Sequence, residues 1–197
     1  MHAEILEDFQ KLWLMSHAHM AFLAVYEASN HIVKNDLEYG DELFYPLFTS
    51  IVVNYARPSK RSKIVGKLID ELVPLESQNL HNSLIIMRDT LVAHSDGDGP
   101  KDRWGKINEI RYQVTKSNLT RYTTQFHLDS LQIMDVRNLT RILIDKVTYH
   151  IQKLERRHAD KFPKIRGEYV LNIDPQIHEH FIAVDSIPEE ERQIKRV

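Results

Sequence analysis

The chain contains no cysteine, which excludes disulfides, thiolate zinc centres, iron–sulfur clusters and a cysteine nucleophile. Glycine and proline are scarce, 6 and 7 among 197 residues, so long regular elements are favoured over many turns. No run of about 18 apolar residues occurs, and no short apolar run follows a basic N-terminus, so neither a membrane span nor a signal peptide is expected and a cytoplasmic location is. Neither charge sign dominates: 26 Lys+Arg against 28 Asp+Glu give a net charge of −2. That balance argues against coating DNA or a membrane by bulk electrostatics, so no DNA partner is expected and any RNA contact must be local. Glycine-rich phosphate loops, Gly-x-Ser-x-Gly and His-Glu-x-x-His are also missing.

What the chain does have is helical periodicity. From about Ala3 to Asn30, Ile5, Phe9, Leu12, Trp13, Met20, Leu23 and Ala24 fall on the spacing of one helical face. A second helix begins near Asp41 or Pro46 and ends near Ala56, because Pro58 disfavours helix at Arg57. A third covers roughly Ser62 to Val73. A fourth, from about Leu75 to Ala93, carries Leu80, Leu84, Met87 and Leu91 before the Ser95-Asp96-Gly97-Asp98-Gly99-Pro100 stop. Alternating β-formers then predict a hairpin over about 108–128. Asp129 and Gln132 resemble a capping box opening a helix to about His158, with Val136, Leu143, Val147, His150 and Leu154 as its stripe. The expected organisation is one helical domain over 1–160 and a loosely packed C-terminal tail over 161–197. At 23.2 kDa such a chain buries roughly 70% of its unfolded surface and needs no covalent staple.

The fourth helix carries the chemistry. Arg88 is bracketed by Leu84 and Leu91, so it projects from the apolar stripe, where a guanidinium either reaches past its stem to water or pairs with a carboxylate. His81 and Ser95 lie one heptad before and after it, threading polar groups along the same side. Between Arg57 and Lys67, the residues Arg57, Lys60, Arg61, Lys63 and Lys67 occur with no acid among them. Such a stretch is either a solvated loop or a local track for a phosphate backbone. The 11 histidines invite a di-iron reading, which needs two Glu-x-x-His copies. Glu155 to His158 is the one match, so no metal or other cofactor is expected. The pairs His17/His19 and His178/His180 diverge on a helix and read as surface residues.

The string Leu80-His81, Arg88-Asp89 and Ala93-His94-Ser95-Asp96, preceded by Tyr55-Ala56-Arg57-Pro58, resembles the HEPN-domain superfamily. It is similar in particular to a bacterial group in which a Tyr-x-Arg-Pro turn precedes a Leu-His…Arg-Asp…Ala-His-Ser-Asp helix. The likeness runs from about Asn54 to Asp96. It implies a mainly α, up-and-down helical bundle whose homodimer faces two motifs into one cleft. In active members it further implies metal-independent endoribonuclease activity linked to toxin–antitoxin or phage-defence systems, with RNA and a cognate antitoxin as partners. Other members are non-catalytic interaction or sensing modules. On this resemblance Arg88 and His94 would be catalytic, with Asp89, His81, Ser95 and Asp96 supporting, while the basic stretch, read as a phosphate track, makes Arg57, Lys60, Arg61 and Lys63 the RNA-binding candidates. Histidine titrates near neutral pH and suits proton transfer, while arginine suits a phosphate and its developing charge. One geometric obstacle stands: six residues along an ideal helix turn the two side chains about 120° apart and separate them by about 9 Å. A helix end, the reach of the arginine or a second protomer would have to close that gap. The tyrosine that some HEPN toxins carry two residues after the histidine is Asp96 here.

Overall fold

The computed structural model describes residues 2–60, 67–68, 72–89, 101–102, 105–106, 110–116, 118–123, 128, 130–174 and 180–186. Helix α1 spans His2–Lys34, α2 Phe44–Ala56, α3 Gln78–Met87 and α4 Ser130–Arg157. Short 3-10 turns follow α2 (Arg57–Ser59) and precede α3 (Leu75–Ser77). The strands form three separate antiparallel pairs, β1 (Lys101–Asp102) with β2 (Gly105–Lys106), β3 (Ile110–Val114) with β4 (Leu119–Thr123), and β5 (Tyr169–Leu171) with β6 (Phe181–Ala183). The molecule is thus mainly helical, with the expected hairpin present at β3–β4 in the register Ile110 to Thr123 through Val114 to Leu119. No helix among the described residues is long and apolar enough to cross a membrane.

The longest helices, α1 and α4, run antiparallel and share the most extensive contact in the molecule. Along α1 the buried positions include Ala18, Phe22, Val25, Ser29 and Ile32; along α4 they include Ile133, Val136, Thr140, Leu143 and Val147. Both sets alternate steps of three and four, the seam spacing of left-handed helix pairs. The stripe expected for α1 is therefore partly displaced. Phe9 and Leu12 are buried as expected, but Met20 is 66% exposed while its neighbours Ala21 and Phe22 face the core. The cause lies in the composition of α1, which is apolar on several faces, so that periodicity alone selects no single one. Small Ala18, Ala21, Ala28 and Ser29 are all buried, which lets the partner backbone approach.

α1 stops by local chemistry. The Leu37 N–H bonds the Ile32 carbonyl at 3.1 Å and the Asp36 N–H bonds that of Val33 at 3.4 Å, with Asp36 at φ 50°. This is a Schellman cap in which Leu37, packed on the core beside Ile32, supplies the hydrophobic closure. α2 ends at Ala56 and Pro58 opens the following turn, as proline sterics dictate. Phe44, Phe48, Ile51, Val52 and Tyr55 bring α2 onto the α1–α4 seam, and Leu84 and Met87 bring α3. Most of the expected third helix lies outside the described residues; Leu68 is buried in irregular chain whose N–H bonds the Pro58 carbonyl at 2.9 Å.

Candidate functional site

Tyr55 and His81 join α2 to α3 inside the core. Tyr55 is fully buried near the end of α2, and its hydroxyl lies 3.0 Å from Nδ1 of His81, which is 5% exposed on α3. The rings meet edge to face. A buried phenol and a buried imidazole that satisfy one another lock α2 to α3, which makes His81 a brace from within the core.

Two turns after His81, α3 gives way at Arg88–Asp89 to a π turn, a wider winding that resets the direction of the following side chains. The Arg88 N–H caps the helix by reaching the carbonyls of Ile85 and Leu84. Its guanidinium donates from Nη1 to Oδ1 of Asp89 at 3.0 Å, and Nζ of Lys60 donates to Oδ2 of the same carboxylate at 2.5 Å. Partial burial works to raise the pKa of Asp89. The hydrogen bonds and charges of Lys60 and Arg88 outweigh it, so the carboxyl sits below its ordinary value. All three side chains remain about a third exposed. Arg88 therefore stands at the rim of the core, held by a neighbour rather than sunk in the apolar stripe.

Asp89 joins two features that the sequence presents separately, the basic stretch and the Arg–His motif. Of the stretch, Arg57 is exposed in the 3-10 turn and Lys60 is half-buried on Asp89, while Arg61 and Lys63 lie outside the described residues. His94, Ser95 and Asp96 also lie outside them, so the structure unites Arg88, Asp89 and Lys60 and is silent on the histidine.

Sequence reasoning missed a neighbouring cavity. Trp13, Leu14, His17 and Ala18 of α1 face Arg57, Pro58 and Lys60 across a cleft of about 340 Å³. Trp13 and His17, one turn apart, have ring centroids 3.9 Å from each other at 45°. Partial burial, then the nearby Arg57 guanidinium, holds the His17 imidazole below its ordinary pKa. The i, i+4 spacing of Trp13 and His17 was the available signal, obscured by treating His17 as half of an i, i+2 pair.

A second polar cluster fastens the far end of α4. Asp8, 6% exposed, accepts hydrogen bonds at 2.8 Å from Nη1 of Arg157 and from Nε2 of His158. Burial raises its pKa, and the hydrogen bonds from His158 and Arg157 override that to hold it below the ordinary carboxylate value. Beside it, Phe9 is ringed by His158, Phe162, His180 and Phe181, so the segment after α4 contributes aromatic groups to the α1 surface. Among the described residues no group of three or more His, Asp or Glu side chains is placed to hold a metal ion. No family model, no curated protein and no solved structure matches the chain.

Proposed function

We propose that the protein is a metal-independent endoribonuclease of the HEPN type, with Arg88 stabilising charge on the scissile phosphate and His94 moving the proton. A ribose 2′-hydroxyl is the nucleophile: it attacks the adjacent phosphorus, the P–O5′ bond breaks, and a 2′,3′-cyclic phosphate and a 5′-hydroxyl remain. The observation that carries this reading is the setting of Arg88, a guanidinium fixed at a helix end by Asp89 yet a third open to solvent, beside further cations at Lys60 and Arg57. Preorganised donors facing water-accessible space are what phosphoryl chemistry requires. The active form is a homodimer in the cytoplasm that brings two motifs to one cleft, and a role in toxin–antitoxin or phage-defence systems follows from the same resemblance.

The Lys60–Asp89–Arg88 ion pairs also favour a second reading, a non-catalytic dimeric interaction or RNA-sensing module in which Arg88 is a structural tie. One experiment separates the two: incubate the full chain with single-stranded RNA in excess chelator, follow cyclic-phosphate product, and measure mass by light scattering. The catalytic reading expects a dimer, a fall of about 10²–10³-fold in cleavage for Arg88→Ala, and loss of cleavage for His94→Ala with an unchanged thermal midpoint. A parent without activity, together with a His94→Ala variant destabilised by about 1–3 kcal/mol, establishes the second reading instead.

A further inference from the structure

The cleft between α1 and the Arg57–Ser59 turn has a lining whose chemistry is specific. Its volume, about 340 Å³, falls at the small end of ordinary ligand pockets. Among the described residues, its lining contains Arg57, His17 and Lys60 and no acid. Lys60 already spends its ammonium on Asp89, but Arg57 makes no ion pair among the described residues and confronts the His17 imidazole across the opening. Partial burial first, and then the facing Arg57 guanidinium, disfavour the charged imidazole of His17. An anion resting between them offsets this. The remaining wall is apolar, with Trp13 as a half-buried flat surface and Leu14, Ala18 and Pro58 around it. A bare phosphate would leave that wall unused, and an aromatic hydrocarbon would leave the cations unused. A ligand that is both planar and phosphorylated uses both.

We propose that this cleft is a subsite for one unstacked nucleotide of a single RNA strand, with Trp13 stacking on the base and Arg57 and His17 holding its phosphate. The choice of an RNA nucleotide over other phosphorylated aromatics rests on the function proposed above. Continuity with the Arg88 site supports it: Lys60 is a wall of the cleft, and its ammonium and Arg88 share the two oxygens of Asp89. A strand whose base sits on Trp13 therefore has its backbone directed along the Lys60–Asp89 edge towards Arg88. Duplex RNA, whose bases are already stacked, cannot use Trp13 in this way.

The test uses the full chain and a 2′-O-methylated RNA hexamer, which binds but cannot be cleaved, with adenosine 5′-monophosphate as a parallel probe. Calorimetry or anisotropy is expected to give single-strand binding that Trp13→Ala weakens by roughly 5- to 100-fold and Arg57→Ala by about tenfold. Trp13→Phe should retain most of the affinity, which distinguishes lost stacking from a disturbed α1, and the same sequence annealed as a duplex should be indifferent to Trp13. Unaltered affinities in the Trp13 and Arg57 variants, with Arg88-dependent cleavage intact, overturn the subsite and leave the nuclease reading standing. Binding of the monophosphate alone, with the same variant pattern but no RNA affinity, keeps the ligand chemistry, overturns the strand subsite and removes the nuclease reading with it.

Discussion

Asp8 and Asp89 each accept side-chain hydrogen bonds from two partners, and in each those partners overcome burial to keep the carboxylate ionised. Their settings differ in one respect that decides what they do. The Asp8 side chain is 8% exposed and shares its site with Phe9 and His158, whereas that of Asp89 is 39% exposed and holds Lys60, a wall of the cleft. Removing a partner from the first strands a polar group in low dielectric, so the cluster acts on stability. Removing a partner from the second lets water take its place, so little stability is at stake and the cluster is free to hold Arg88 in an accessible place. Like chemistry at unlike depth separates a fastening from a working edge.

The largest expected effect follows directly. Asp8→Ala should lower unfolding free energy by about 3 kcal/mol, while Asp89→Ala should change it by less than about 1 kcal/mol; urea denaturation of both variants measures the contrast. Equal losses would erase the distinction drawn from exposure. Acid sharpens it further. Because Asp8 has a depressed pKa when folded, its stabilisation is fully present above the unfolded value of about 3.9 and is lost as pH falls through the lower folded value. The stability gap between the parent and Asp8→Asn should therefore narrow below about pH 4, and the corresponding gap for Asp89→Asn should stay small throughout. The smallest effect concerns salt. Arg57→Ser should reduce the slope of log RNA affinity against log salt by about 0.7. Lys60→Ser should reduce it by less, because Asp89 already neutralises that ammonium. An equal drop for both would mean that Lys60 leaves Asp89 for the RNA backbone.

Features set by neighbouring residues were readable in advance. The end of α2 at Ala56 follows from Pro58, the β3–β4 pairing from period-two alternation, and the seam of α4 from Val136, Leu143 and Val147. Features set by residues far apart in sequence were not. Nothing in the spacing of Arg57 to Lys67 indicates that an acid 29 positions after Lys60 completes the cluster. The proximity of Trp13 and His17 to Arg57 likewise depends on how α1 packs beside the end of α2. α1 marks the boundary between the two cases: its helical character was evident, but the choice among its apolar faces was made by α2 and α4. Arg88, expected to project from the apolar stripe, lies at the rim of the core with about a third of its side chain exposed, and its partner is the adjacent Asp89 at the π turn.

The antiparallel joining of α1 to α4 also has a consequence for the order of events as the chain is made. Asp8 meets Arg157, 149 positions later, and at about 5–20 residues per second that interval of synthesis lasts roughly 7–30 s. Throughout it α2 is the early neighbour of α1, and the surface that will receive Leu139, Leu143 and Val147 stays uncovered. Among the four described α-helices the most extensive interface is therefore the last that translation can complete, and the nascent chain carries an open apolar groove until α4 has been made.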